Sequence, residues 1–363
     1  MPVDAHVRRV VAGAMLIASS ATCVGAQTLR DTFKRVASSV AVVEAEEVEV
    51  AARGSPAPDS QEYTGSGFLV SADGKLLTAA HLVQVAEKIS VTFPQCEPVV
   101  ARVVASEPSA DVALLQLDHV PAGASVARLG DSDRVEVGDE VFVVGAPLGI
   151  SQTLGYGHIS GIRRPHRVFG DLSTGEEELL QTDAAINEGD SGAPLFNLAG
   201  DAVGVVSFGF GEAEGAKGLN FVVSSNTARR LLLMGNPFWS GFEGYQLHGQ
   251  LAVVFNLPQP EGILVERVAP GSPAEQLGLR GGTIAANIEG EPVLLGGDVI
   301  LEVAGVPVGG GDFASRLRAA IARLSGRELM RVTVFRGGSR VELSSRPQRH
   351  AATNTAPALR PKP

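Results

Sequence analysis

Short apolar runs separated by turn residues recur along the first two thirds of the chain. The runs, rich in Val, Leu, Ile and Thr, predict strands at 67–70, 76–78, 89–93, 99–104, 112–116, 140–144 and 202–207. A parallel sheet would need helices between such strands, and the sequence has no helical pattern there. The pattern therefore predicts a mostly β protein built from antiparallel barrels or sandwiches.

The chain of 363 residues is long enough for two domains, and its composition changes where a boundary is expected. A helix-like segment at 226–234 is followed by Gly, Pro, Phe, Trp and Ser residues at 235–244. We therefore place a first domain at 27–238 and a smaller second domain at 239–346. The tail at 347–363 is rich in Pro, Ala, Thr and basic residues and is expected to be disordered.

The first 26 residues have the order of a secretory signal peptide. A basic stretch precedes an apolar run at 10–18, and Val24-Gly25-Ala26 supplies the small residues before a cleavage site after Ala26. The alternatives are an uncleaved anchor, which needs a longer apolar run, and lipoprotein cleavage at Cys23, which needs a Leu-led pattern before the cysteine. We expect an exported protein whose mature chain keeps only Cys96 and forms no internal disulfide.

The charge balance argues against two classes of partner. The formal net charge is −10, and no run of Lys and Arg forms a local basic patch. Nucleic acids and anionic lipids both require such a field. We expect no nucleic-acid partner, and we find no sequence pattern that calls for a metal or another cofactor.

Three strings carry the side chains that nucleophilic acyl transfer requires, namely a hydroxyl, an imidazole and a carboxylate. Ser191 is flanked by Gly189 and Gly192, which allow a tight turn that directs the N–H groups of Gly189 and Ser191 toward one point. His81 ends one apolar strand, and Asp111 begins another. Taken singly, His81 and Asp111 each have a commoner structural explanation, as a structural histidine and a strand-start or turn aspartate, and a plain surface turn is an alternative for Ser191.

Taken together, the strings Thr78-Ala79-Ala80-His81, Asp111-Val112-Ala113-Leu114-Leu115 and Gly189-Asp190-Ser191-Gly192 resemble the chymotrypsin/trypsin clan in composition and chain order. Within that clan, Gly65-Ser66-Gly67-Phe68 and the segment 181–187 are similar to the HtrA/Deg group. The resemblance implies two six-stranded antiparallel barrels of trypsin-like fold with the triad between them.

The resemblance also assigns roles to the residues. It implies His81 as general base and acid, Asp111 as the group that orients it, and Ser191 as nucleophile. The N–H groups of Gly189 and Ser191 would form the oxyanion hole. It further implies a periplasmic protein that acts on unfolded or misfolded proteins and forms a homo-oligomer, commonly a trimer in this group.

Specificity follows from positions that the clan uses to bind substrate. The pocket floor lies six residues before the nucleophile, at Ala185, so no carboxylate is present there to neutralise Lys or Arg. Gly218 begins the string that is expected to form a pocket wall. Ser207, Phe208 and Gly209 are expected to pair with the substrate backbone. We predict cleavage after small or medium apolar residues.

Two residues depart from the HtrA pattern around the serine, Asp190 before it and Ala193 after it, where that group usually carries a second Gly. Asp190 stands where that group usually carries Asn, and the chain has no activation site that would free an N-terminus to pair with it. Because a buried carboxylate needs a partner, we expect Asp190 to pair with Arg163 or Arg164.

The second domain carries a motif order similar to a PDZ domain of the bacterial protease type, which is an α+β domain. The segments are 262–268, 271–279, 297–305 and a helix-like 313–324. PDZ domains add a peptide to a sheet edge and hold its C-terminal carboxylate on backbone N–H groups. We predict the carboxylate loop at Gly244 and Tyr245, where the acidic Glu243 departs from the apolar pattern. The segment 283–296 interrupts the usual short connection and is a candidate extra hairpin.

The leading hypothesis is an ATP-independent endopeptidase with a PDZ domain for substrate binding or regulation. A second hypothesis is a non-catalytic chaperone or PDZ-mediated binding protein that keeps the protease fold with a resting or degenerate site. A third is a site-specific regulatory protease that a PDZ ligand controls.

Overall fold

The computed structural model of the protein has two closed β-barrels and a third sheet. It describes residues 28–48, 60–150, 152–163, 178–209, 218–234, 238–288, 290–324 and 329–345. The predicted signal peptide at 1–26 and tail at 347–363 lie outside these ranges. Within them, no helix has the length and apolar character that crossing a membrane requires.

The first barrel is preceded by helix α1 (Leu29–Val36) and contains six antiparallel strands. They are β1 (Val40–Val48), β2 (Ser60–Leu69), β3 (Lys75–Thr78), β4 (Lys88–Thr92), β5 (Val99–Glu107) and β6 (Val112–Leu117). The barrel closes in the order β1-β2-β3-β6-β5-β4. Its interior is filled by apolar side chains that alternate along the strands, as in small barrels generally.

The second barrel also closes six antiparallel strands, and a short seventh strand is attached to it in parallel. The strands are β7 (Arg128–Leu129), β8 (Glu140–Gly145), β9 (Thr153–Arg163), β10 (Leu179–Thr182), β11 (Pro194–Asn197), β12 (Asp201–Gly209) and β13 (Asn220–Ser224). The order is β11-β8-β9-β10-β13-β12, closed by the β11–β12 pair, with β7 beside β12. The predicted pair of six-stranded barrels is thus confirmed, and β7 is an addition to it.

A separate apolar cluster joins the two barrels and fixes the cleft between them. It includes Phe68 and Leu77 of the first barrel and Phe142 and Phe196 of the second, all with no exposed surface. The rings of Phe142 and Phe196 stack with centroids 5.4 Å apart. Because burying one such ring contributes about 1.5–3 kcal/mol, this cluster holds the barrels in one relative position. Helix α2 (Ser225–Ala228) follows β13.

The third sheet is antiparallel and has helices on both faces, which makes this part of the chain α+β. Its strands are β14 (Phe242–His248), β15 (Glu261–Val268), β18 (Val299–Val303), β19 (Val306–Pro307), β20 (Met330–Arg336) and β21 (Ser339–Ser345). The helices are α3 (Gly249–Val254), α4 (Pro273–Leu277) and α5 (Phe313–Arg323). The sheet order is β14-β15-β18-β20-β21, with β19 on β18.

The interruption at 283–296 folds as a hairpin of β16 (Ile284–Ile288) and β17 (Glu291–Leu295). Val293 of this hairpin is buried in the same apolar cluster as Leu247 and Leu264 of the third sheet. The hairpin therefore covers one face of that sheet.

Gln84 fastens the third sheet to the first barrel. Its Nε2 donates to Ser240 Oγ and to the carbonyl oxygen of Phe242, both at 2.8 Å, and its own carbonyl accepts from Trp239 Nε1 at 3.0 Å. Gln84 is 5% exposed and lies in the turn that follows His81. The start of the third sheet is thus bonded directly to the turn that carries the predicted base.

Two further contacts extend this joint. The N–H of Ser106 donates to the carbonyl oxygen of Phe238 at 3.0 Å. The guanidinium of Arg318 on α5 pairs with the carboxylate of Glu107 at 3.0 Å. Both contacts lie at the end of β5, a few residues before Asp111.

Candidate active site

His81 and Asp111 meet at the open side of the first barrel. The end of β3 and the two residues after it are buried, at Thr78, Ala79 and Ala80. The chain then turns, so the His81 side chain is half-exposed. His81 Nδ1 lies 2.9 Å from each carboxylate oxygen of Asp111, and the His81 backbone N–H donates to Asp111 Oδ1 at 3.0 Å. Since an ionised carboxylate can only accept, Nδ1 carries the proton and Nε2 is left free to accept one.

The backbone places the Asp111 carboxylate in this position. A single turn of 3-10 helix at Pro108–Ala110 comes before Asp111, whose N–H donates to the carbonyl oxygen of Pro108 at 3.1 Å. Asp111 itself is left-handed, with φ 53° and ψ 44°, a conformation that Asp tolerates better than most residues. Strand β6 begins at the next residue, so the reversal directs the carboxylate away from the strand and toward His81.

Ser207 provides a third hydrogen-bond donor to the Asp111 carboxylate. Its hydroxyl donates to Asp111 Oδ2 at 2.6 Å, and it is 3% exposed. The β12–β13 register shifts between Val206 and Phe208, so Ser207 is the extra residue of a bulge. Bulges redirect a side chain out of the strand alternation, and here the redirected hydroxyl reaches across from the second barrel. Ser207 was predicted only as a backbone partner for substrate.

Ser191 lies in a turn that two glycines make possible. Gly189 has φ 95° and Gly192 has φ 84°. A Cβ on Gly192 would lie 2.2 Å from the carbonyl oxygen of Ser66 and 2.5 Å from Thr78 Oγ1, so only glycine fits. The Ser191 hydroxyl lies 3.5 Å from the carbonyl oxygen of Ser207, its one hydrogen-bond acceptor among the described residues.

Two N–H groups of this turn are available as donors. The N–H groups of the other three residues in the turn are already used, because they donate to backbone carbonyl oxygens at 2.8–3.0 Å; these residues are Asp190, Gly192 and Ala193. In the part of the chain that the structure describes, the N–H groups of Gly189 and Ser191 have no such acceptor. These are the donors that the sequence predicts for the oxyanion hole, and that role stays a prediction.

Ser66 ties the serine turn to both barrels, which the sequence did not predict. Its hydroxyl donates to the carbonyl oxygen of Gly189 at 2.7 Å and accepts from the N–H of Ala146 at 3.0 Å. Its backbone N–H donates to the carbonyl oxygen of Ser191 at 2.8 Å. The sequence signals for Ser66 are its position between two glycines and its place in the string at 65–68 that resembles the HtrA/Deg group.

Asp190 is buried, and among the described residues its hydrogen-bond donor is a backbone N–H rather than Arg163. It is 3% exposed, and its Oδ2 accepts from the N–H of Asn187 at 2.8 Å. Burial raises the pKa of the Asp190 carboxyl, and the bond from Asn187 lowers it by less. Arg163 instead donates to Gln181 Oε1 at 2.6 Å, so the Arg163 pairing is wrong, and Arg164 lies outside the described residues.

The predicted substrate-binding residues lie around this turn. Ala185 is exposed, and its carbonyl oxygen packs against Gly155, where a Cβ would lie 2.2 Å away. Phe208 and Gly209 are the last residues of β12. Among the described strands, only β13 pairs with them, along one edge. Gly218 has φ 78° and precedes β13. Among the described strands, none pairs with the other edge of Ser207–Gly209, and the role of this edge with substrate stays a prediction.

The third sheet places an acidic residue within electrostatic range of His81. Glu243 pairs with Arg267 at 2.9 Å across the β14–β15 ladder. Burial lowers the pKa of His81, but the bond and charge of Asp111, with the charge of Glu243, raise that pKa above 6.5 overall. Burial and then the charge of Glu243 also raise the pKa of Glu47, which is 7% exposed in the first barrel.

The predicted carboxylate loop forms the start of an edge strand. The ladder to β15 shifts between Glu243 and Gly244. A Cβ on Gly244 would lie 2.6 Å from the carbonyl oxygen of Leu264, so the bulge requires glycine. Tyr245 follows on β14, which ends the described sheet order. Peptide binding at Gly244 and Tyr245 stays a prediction.

Two barrels with a histidine–aspartate pair and a glycine-flanked serine between them define a trypsin-like peptidase fold. The family model of the trypsin-like peptidase domain matches residues 65–205. The "HtrA-type protease AlgW with decapeptide" aligns with a TM-score of 0.50 and 27% identity, over 87% of this chain and 97% of that one.

Curated relatives agree with that class. The chain is 33% identical over 276 residues to the "Probable periplasmic serine endoprotease DegP-like" of Ectopseudomonas mendocina (strain ymp), covering 74% of this chain and 56% of that protein. It is 33% identical over 239 residues to the "Periplasmic pH-dependent serine endoprotease DegQ" of Escherichia coli (strain K12), covering 64% and 51%. The chain belongs to the HtrA/Deg family of trypsin-like serine proteases, and it spans about half the length of these relatives.

Proposed function

We propose that the chain is an exported, periplasmic serine endopeptidase that cleaves unfolded or misfolded proteins. The observation that carries this proposal is the pairing of His81 Nδ1 with both carboxylate oxygens of Asp111 at 2.9 Å, which leaves Nε2 as a base. The names of the curated relatives, periplasmic serine endoproteases, support the compartment and the reaction class.

In the proposed reaction, the Ser191 hydroxyl turns from the Ser207 carbonyl toward His81. As Ser191 Oγ attacks the substrate carbonyl carbon, His81 Nε2 takes the hydroxyl proton. The N–H groups of Gly189 and Ser191 stabilise the oxyanion that forms. His81 then gives the proton to the leaving amine, and an acyl-enzyme remains. A water, deprotonated by His81, adds to the acyl carbon and releases Ser191.

Asp111 keeps the imidazole in the correct tautomer and stabilises its positive charge during the reaction. The bonds from Ser207 and from the His81 backbone hold the carboxylate against rotation. The small, exposed side chain of Ala185 supports cleavage after small or medium apolar residues. A homo-oligomer, which the resemblance to the HtrA/Deg group implies to be a trimer, completes the proposal.

Degradation of casein by the purified protein tests the nucleophile. We expect Ser191→Ala to lower the rate by more than about 1000-fold. Ser160→Ala, an exposed serine on β9, is the matched control and should keep full activity. Equal cleavage by Ser191→Ala and wild type would reject Ser191 as the nucleophile.

A second candidate function is peptide binding by residues 239–346, which we propose as a PDZ domain. The observation that favours it is the edge position of β14, with a glycine-dependent bulge where a carboxylate would bind. Fluorescence anisotropy with full-length Ser191→Ala protein tests it. Peptides that end in apolar residues should bind with a free C-terminus and lose at least tenfold affinity when amidated. Equal binding of both forms would reject the carboxylate site.

A further inference from the structure

Asn220 lies between two segments that the proposed function assigns to substrate binding. It begins β13, pairs with Thr182 on β10 and pairs with Gly209 on β12. Thr182 ends the strand that leads into the loop with Ala185, and Gly209 ends the strand with the open edge. The topology therefore puts Asn220 between the predicted pocket floor and the predicted substrate strand.

The Asn220 side chain is turned toward the pocket floor. Its Nδ2 donates to the carbonyl oxygen of Ala184 at 2.8 Å, and the residue is 7% exposed. Because a carbonyl oxygen can only accept, this bond fixes which end of the amide faces Ala184. Oδ1 therefore faces away from Ala184, and it has no hydrogen-bond partner among the described residues. The amide therefore lies against the peptide group that joins Ala184 to Ala185.

This arrangement has a consequence for substrate size. With Ala185 alone at the floor, a pocket could accept a medium side chain such as Leu. An amide bonded to the Ala184 carbonyl takes up volume at that end, and it is held in place by a buried hydrogen bond. Moving it would leave the amide and the carbonyl unpaired, at about 1–3 kcal/mol for each buried group.

We infer that Asn220 is a specificity-determining residue that closes the deep end of the pocket and restricts it to short side chains such as Ala and Val. The inference rests on the proposed function and narrows it, because Leu, Met and Phe before the scissile bond are rejected. Asn220 does not contact the reacting atoms, so its effect is on substrate choice.

The test measures kcat/KM for peptides that differ only in the residue before the scissile bond, with Ala, Val, Leu, Phe and Lys. Wild type should prefer Ala and Val. Asn220→Ala should raise the Leu-to-Ala ratio at least tenfold, because it removes the amide. Asn220→Asp, which keeps the size, should raise the Lys-to-Ala ratio at least tenfold, because it places a carboxylate in the pocket. Thermal unfolding checks that each variant is folded.

Asn226→Ala is the matched control, since Asn226 bonds to Asp131 on the surface and is remote from the floor. It should leave both ratios unchanged. If both Asn220 variants slow all five peptides by the same factor, Asn220 only holds the loop and the inference is overturned. If Asn220→Ala does not fold, the Lys-to-Ala ratio of Asn220→Asp decides. A wild type that cleaves neither casein nor any peptide contradicts the proposed function itself.

Discussion

Replacing Gln84 with Ala should loosen the joint between the first barrel and the third sheet. The substitution removes the two hydrogen bonds from Nε2 to Ser240 Oγ and to the Phe242 carbonyl, both 2.8 Å long. A hydrogen bond of this kind contributes about 0.5–1.5 kcal/mol net, so the loss is roughly 1–3 kcal/mol. Removal of Gln84 Oε1 offsets part of it, because that atom is buried and unpaired among the described residues.

The amide of Ser106 reports directly on this joint. Its N–H donates to the carbonyl oxygen of Phe238, so it exchanges with solvent when residues near 238 move off the barrel. A loss of roughly 1–3 kcal/mol should speed its hydrogen exchange by about 5- to 150-fold. The amide of Val206, bonded within the second barrel, should exchange at the wild-type rate.

Gln116→Ala is the matched control. Gln116 donates to the Asp73 carbonyl in the same barrel, away from the third sheet. Its loss should leave the ratio of Ser106 to Val206 exchange at the wild-type value. Wild-type exchange of the Ser106 amide in folded Gln84→Ala protein would refute the assignment of the joint to Gln84.

Two further predictions concern buried or paired carboxylates. The pKa of Asp190 is raised by burial, so the folded state binds this proton more tightly and loses stability as pH rises from 3.8 through the raised pKa. Urea unfolding should therefore show that Asp190→Asn is more stable than wild type at pH 7, by about 1 kcal/mol or more, and equally stable below pH 3.8. A stability difference between the two proteins that does not change with pH would contradict this. Glu243→Gln should lower the raised pKa of His81 and move the acid limb of the kcat/KM profile to lower pH, since a general base must be neutral. If the acid limb of the kcat/KM profile stays at the wild-type pH in Glu243→Gln, Glu243 does not contribute to the raised pKa of His81.

The barrels could be predicted from the sequence wherever strands are continuous apolar runs, as at 76–78 and 112–116. Strand β9 was missed because two of its three buried residues, Gly157 and Gly161, are glycine, so its alternation of buried and exposed positions is not an alternation of apolar and polar side chains. Glycine is depleted in strands, so the local pattern gives no signal there. Only pairing with β8 and β10 makes this segment a strand.

The candidate site divides in the same way. His81, Asp111 and Ser191 could be identified because each lies in a local string, and the structure brings His81 and Asp111 into contact. Ser207 could not be assigned to Asp111, because its orientation depends on a bulge in the β12–β13 register. Contacts between residues about 100 positions apart leave no mark in a local pattern. The expected Asp190–Arg163 pair was wrong because Arg163 donates to Gln181 on the neighbouring strand, a contact that the local sequence does not reveal.

Glu243 takes on a different meaning once its neighbours are known. From the sequence, its charge opposes a peptide carboxylate bound at Gly244. In the structure, Arg267 neutralises that charge at 2.9 Å, while the same carboxylate contributes to the raised pKa of His81. A peptide carboxylate at Gly244 would compete with Glu243 for Arg267. The residue that departs from the family pattern thus pairs with Arg267 and contributes to the raised pKa of His81.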